Sequence, residues 1–215
     1  MKRNYFLVGI VLTAAAVGAS VILYPYLPPQ MPTHWNIHGQ VDGYGAKSWA
    51  AFLGPGFMVF MLVLFRLLPW LSPKRFEVDT FVSTYLYMMV VFLAFFAYIH
   101  GLSLWAGLRG PLDISRAIFG GVCLLFALLG NVMGKVRRNF WIGVRTPWTL
   151  ADERVWDATH RFAAKTFVLG GLAGWALAWA GAGFWLPFAA LMAGALLPVV
   201  HSLVYYKRLE RRGEI

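Results

Sequence analysis

Two polar stretches interrupt an otherwise apolar chain, and they hold most of the residues able to do chemistry. In the first, residues 28–48, the candidates are His34, Trp35, Asn36, His38, Asp42 and Lys47. His34, His38 and Asp42 stand four apart, a spacing that would gather metal ligands on one face of a helix. Gly39 and Gly43 argue against a helix, and Asp42-Gly43 signals a turn, so the segment reads as a compact run of turns. Three readings stand side by side. One is a metal site. The second is a surface for an external peptide, offered by His34, Trp35, Asn36, Asp42 and Lys47. The third is a structural cap, with Asn36 and Asp42 bonding the loop backbone and Lys47 paired with Asp42.

The second stretch runs from Asn139 to Arg161 and contains Gly143, Arg145, Thr146, Pro147, Trp148, Glu153, Trp156 and His160. Pro147 fixes its own φ and pushes Thr146 toward an extended conformation. Thr149 then falls at a helix N-cap, with Asp152 three residues on, close to a capping box. Acidic Asp152 and Glu153 precede basic Arg161 and Lys165, the order a helix dipole favours. Asp157 and Arg161 stand at ion-pair spacing. Val155, Trp156, Thr159, Phe162 and Ala163 form a mainly apolar stripe. The pattern predicts an amphipathic helix over 150–165, lying on the membrane surface and feeding the next span. Asp152, Glu153, Asp157 and His160 could in principle serve a metal-dependent hydrolase. They lack the His-Glu-x-x-His pattern, however, and no phosphate loop or nucleophile elbow accompanies them. The reading is therefore not an enzyme, with no cofactor and no metal.

The elements that position these stretches follow from composition. Of the 215 residues, 60% are hydrophobic and 13% charged, about half the charged share of a soluble domain. Six apolar runs, near 5–27, 49–71, 81–104, 114–134, 167–181 and 184–206, are each close to the ~20 residues a spanning helix needs. The first is longer than a signal-peptide core and is read as a span. Lipid offers the backbone no hydrogen bonds, so each run must be helical. The expected fold is all-α: a single integral membrane domain, residues 1–215, built as a six-helix bundle. Cys123 lies in an apolar run and reads as packing. Gly170, Gly174, Ala178 and Ala182 recur every four residues, a smooth stripe for close helix approach within one chain.

The charge of +10 would raise nucleic acid as a partner for a soluble protein. Here the cations sit in short loops. Fifteen of the 19 Lys and Arg lie at the N-terminus, in 72–80, in 135–165 and beyond 206, against Lys47, Arg109 and Arg116 on the other side. The positive-inside rule then places both termini and the 135–165 loop in the cytoplasm, and the 28–48 loop outside. Arg66 snorkels from a span end. The partners implied are membrane lipids, with no direct nucleic acid. His100, Asn131 and His201 are the notable polar groups within spans, each read as packing or hydrogen bonding.

Asn139, Gly143, Arg145-Thr146-Pro147-Trp148-Thr149, Glu153, Trp156 and Thr159-His160-Arg161 resemble the signature of the SdpI family of bacterial multi-spanning membrane proteins. Pro32, His34, Trp35, Asn36, Gly39, Asp42 and Lys47 resemble a motif that accompanies it. The resemblance implies a plasma-membrane protein that protects its cell from a secreted peptide toxin, bound at the outer loop. It also implies signalling, with 139–161 holding a cytoplasmic transcriptional repressor at the membrane. A small-solute transporter or a general membrane stress sensor is the alternative.

Overall fold

The apolar runs are helical over most of their length in the computed structural model, which describes residues 2–36, 39–73, 78–110 and 113–215. In order come α1 (Lys2–Leu23), a 3-10 turn (Tyr24–Tyr26), β1 (Gln30–Trp35), β2 (Val41–Ala46), α2 (Lys47–Leu67), a second 3-10 turn (Val78–Phe81), α3 (Val82–Arg109), α4 (Ile114–Met133), α5 (Pro147–Ala151), α6 (Glu153–Trp179) and α7 (Trp185–Arg211). Of the α-helices, all but α5 are long and apolar enough to cross a bilayer, which gives six spans among the described residues. The chain is a multi-pass membrane protein, as its hydropathy implies.

Two differences from the expected all-α fold bear on the polar stretches. Gln30–Trp35 and Val41–Ala46 are not a run of turns but an antiparallel hairpin, β1 with β2. Its register shifts between Pro32 and His34 and again between His34 and Trp35. Such irregularities bend a strand and break the two-residue alternation by which strands are recognised. The helix expected over 150–165 starts later, at Glu153, and runs without a break into the next span. Its residues form the opening turns of α6, which is continuous to Trp179, and only the five-residue α5 precedes it.

The contacts fall into two compact units. The first comprises the residues up to Arg66 and Leu86–Val122. Its core beneath the hairpin is Leu27, Met31, Ala50, Ala51 and Leu104. Deeper in, Ser20 donates to Ala51 O (2.6 Å) and lies 3.0 Å from His100 Nε2. His100 is thus a buried hydrogen-bonding residue, as a polar group in a span must be.

The second unit comprises Leu67–Tyr85 and Cys123–Ile215. Here α6 packs along α7 through glycine. A Cβ on Gly170 would lie 2.8 Å from Ala190 O and 2.9 Å from Gly194 Cα. Only a bare α-carbon allows backbones that close. The small-residue stripe therefore serves packing inside the chain, with Gly174 against Cys123 and Pro187. Asn131, expected deep in a span, is exposed near the end of α4.

Candidate functional site

Two sites follow, one in each unit. In the first, the hairpin is tethered at its base and tip. Lys47 Nζ reaches Leu27 O (3.3 Å) and Tyr24 O (3.4 Å), and sits 4.7 Å from the Tyr24 ring centre. It donates to two carbonyls of the turn that follows α1 and adds a cation–π contact. The expected Lys47–Asp42 pair is not formed. Asp42 instead meets His34 Nδ1 at 2.5 Å across the strands, on the exposed side.

Asn36 closes the hairpin tip. Its side chain accepts from Gln40 N (3.1 Å) and donates to Gln40 Oε1 (3.0 Å), while its carbonyl accepts from Ser115 Oγ (3.1 Å) at the start of α4. Asn36 thus does bond the loop backbone, and Asp42 bonds a side chain. Ser115 carries no motif signal, and only the fold brings it to Asn36. Trp35, Pro32, Val41 and Tyr44 line one wall of an open groove of about 310 Å³, with Ala106 and Ile114 on the other. The hairpin therefore presents an apolar groove on one side and the His34–Asp42 pair at its surface. His38, the third candidate metal ligand, lies outside the described residues. Among the described residues no three His, Cys, Asp or Glu side chains converge.

In the second unit, residues 136–160 form a buried knot. Asn139 is wholly buried and uses all of its amide. Its oxygen accepts from Trp141 N and Ile142 N, both at 2.7 Å, and its nitrogen donates to Arg137 O (2.9 Å) and Ile142 O (2.8 Å). One side chain thereby folds the loop back on itself, which a buried backbone requires. Trp156, also wholly buried, donates from Nε1 to Val136 O at 2.8 Å.

His160 completes the knot. Its ring stacks on Trp156 with centres 4.0 Å apart. Nδ1 donates to Trp156 O (2.8 Å), and Nε2 accepts from Val144 N (3.0 Å). Because a backbone N–H is donor only, Nε2 carries no proton and the imidazole is neutral. Both nitrogens are committed, so neither is left to bind a metal or act as a base. Gly143 explains itself at the same point. Its φ is +121°, and a Cβ there would run into His160 Nε2.

The helix starts are shifted from the expected ones. Thr146, not Thr149, caps α5, with φ −100° and ψ 161°, and Thr149 is the partner that closes its capping box. Thr149 Oγ1 accepts from Thr146 N (2.9 Å) and donates to Val144 O (2.8 Å). Thr146 Oγ1 also lies 3.0 Å from Ser202 Oγ on α7, a tie invisible in the sequence. Asp152 caps α6, accepting from Arg154 N at 2.8 Å. Its hydrogen bond to the Arg154 side chain holds its carboxyl below the usual range, against a smaller upward push from burial. Asp157 pairs with Arg137 at 3.7 Å rather than with Arg161.

The fold thus divides the second stretch in two. Asn139, Thr146, Trp156 and His160 are buried, while Arg145, Pro147, Glu153 and Arg161 are exposed and Gly143 and Trp148 half-buried. Arg145 lies over the Phe140 ring, 4.9 Å from its centre.

The sequence model of the SdpI/YfhL protein family matches residues 135–205, which take in the knot, α6 and most of α7. Immunity protein SdpI of Bacillus subtilis (strain 168) is 31% identical over 171 residues, covering 80% of this chain and 79% of that protein. The chain belongs to the SdpI family. A second sequence model, a domain of unknown function (DUF1648), matches residues 11–59, from within α1 through the hairpin into α2. No solved structure matches the chain. Its place in the SdpI family and its six spans make it a multi-pass bacterial membrane protein. What the SdpI relative is named for, immunity, names no catalytic step.

Proposed function

We propose that this SdpI-family protein protects its cell against a membrane-active peptide, which it binds at the hairpin groove on the outer side. The observation that carries the reading is the groove itself: Trp35, Tyr44 and Val41 offer apolar area beside the polar His34–Asp42 pair. An amphipathic peptide needs both kinds of surface. In this reading His34, Trp35, Asn36 and Asp42 form the binding face, and Lys47 anchors the base from which it projects.

The single membrane domain is oriented with both termini in the cytoplasm, supported by the 15 of 19 Lys and Arg on that side. Three spans separate the hairpin from the 135–152 segment, so the two face opposite sides of the membrane. The exposed Arg145, Glu153 and Arg161, with the half-buried Trp148, then form a cytoplasmic face that recruits a soluble transcriptional repressor. The buried Asn139, Thr146, Trp156 and His160, with the half-buried Gly143, hold that face in shape. Peptide binding outside changes recruitment inside only by favouring one of two arrangements of the bundle through differential contacts.

The test is a challenge with the secreted toxic peptide of the producing strain, applied to cells with and without the protein. Survival should require the protein and should fall when Trp35 and Tyr44 are both changed to serine. Equal killing of both cell types would exclude immunity. Repressor recruitment is tested separately, by co-purification with and without Arg145→Glu.

A further inference from the structure

The last turns of α7 carry a feature that immunity does not use. Leu203, Val204, Lys207, Arg208, Arg211 and Arg212 line a groove of about 460 Å³. Residues 203, 207 and 211, and likewise 204, 208 and 212, are four apart, so cations and aliphatic side chains share one helix face. Leu203 and Val204 are exposed, and on a spanning helix that exposure faces acyl chains. Lys207 already has a partner, Glu210 at 2.7 Å, and Arg212 is 3.9 Å from Glu214. Arg208 and Arg211 are exposed and have no carboxylate partner among the described residues.

Two uncompensated guanidiniums stand over two aliphatic side chains at the end of a membrane span. Guanidinium suits phosphate oxygens, and the apolar floor suits the chain attached below them. A free anion would use the arginines but gain nothing from Leu203 and Val204. We propose that this groove holds the headgroup of an anionic phospholipid, its phosphate between Arg208 and Arg211 and an acyl chain along Leu203 and Val204. The lipid would fix the depth of α7 and, through Ser202 and Thr146, the seat of the loop below α5.

The experiment is native mass spectrometry of the full chain in detergent, titrated with phosphatidylglycerol or phosphatidylcholine. Phosphatidylglycerol should bind preferentially, and its binding should weaken as salt is raised. Changing Arg208→Gln together with Arg211→Gln should weaken it roughly 30-fold, at about a factor of five per cation near a membrane. Arg208→Lys with Arg211→Lys should retain part of the binding, and Arg109→Gln with Arg116→Gln should retain all of it. Equal binding of phosphatidylcholine, unchanged binding by the double glutamine variant, or displacement by inorganic phosphate at equal concentration would each overturn the proposal. Should the double glutamine variant not fold, the lipid preference and salt series on the unaltered protein still decide it.

Discussion

The imidazole of His160 accepts the backbone N–H of Val144 at 3.0 Å, so a side chain on α6 fixes a loop residue sixteen positions earlier. The loop's shape therefore depends on one neutral ring. His160→Ala removes that acceptor, leaves a buried N–H unsatisfied and opens a cavity beside Trp156. The expected loss is about 3 kcal/mol. A lowered unfolding temperature in detergent, together with faster hydrogen exchange at Val144, would show it. Gly143→Ala should fail similarly, because the new methyl meets the same nitrogen at a positive φ.

Asn139→Asp tests the loop's other pin. The shape hardly changes, but two donors facing Arg137 O and Ile142 O become acceptors. A buried carboxylate facing carbonyl oxygens costs several kcal/mol. The variant should express poorly or unfold at markedly lower temperature. Native-like thermal stability would show that the four hydrogen bonds of Asn139 contribute little.

Asp152 gives a prediction with a sign in pH. Its carboxyl is held below the ordinary value by Arg154. The stabilisation is therefore complete above the unfolded carboxyl's pKa, about 3.9, and is lost as pH falls through the lower folded value. Asp152→Ala should cost about 1 kcal/mol at neutral pH, the worth of an N-cap. Asp152→Asn keeps a cap, so it should cost less and should flatten the acid side of the stability profile. Equal losses in both variants would make the charge, not the cap, the important part.

At the hairpin, anchoring and binding separate. Lys47→Met leaves Leu27 O without the Lys47 donor and Tyr24 O with only the Leu27 N–H, and should lower stability by about 1 kcal/mol. His34→Gln and Asp42→Asn alter an exposed pair, worth at most about 1 kcal/mol, and should leave folding intact while weakening protection against the peptide. Thermal unfolding and survival, measured on the same three variants, distinguish the roles. If His34→Gln unfolds the protein, the pair is structural.

The six spans were legible because a hydropathy signal twenty residues long survives local exceptions. The hairpin was not. Gly39 and Gly43 read as turn residues, and the register shifts beside His34 erase strand alternation. Charge partners were misassigned for a related reason. Spacing along one helix pointed Asp157 at Arg161, whereas a neighbouring loop supplies Arg137. Lys47 and Asp42, five apart, looked like a pair, but Lys47 reaches Leu27 O and Tyr24 O while Asp42 meets His34. Asn139, Trp156 and His160 were visible as members of a motif. That they hold a loop together, while Arg145 and Arg161 stay outside, depends on contacts between distant residues such as Thr146 and Ser202.

The account stands on the hairpin and the knot lying on opposite sides of the membrane. With Cys123 replaced by serine, single cysteines at Ser48 and at Glu153 can be probed in intact cells with a membrane-impermeant maleimide. The account predicts labelling at position 48 and protection at 153 until the cells are lysed. Labelling of position 153 in intact cells would contradict it.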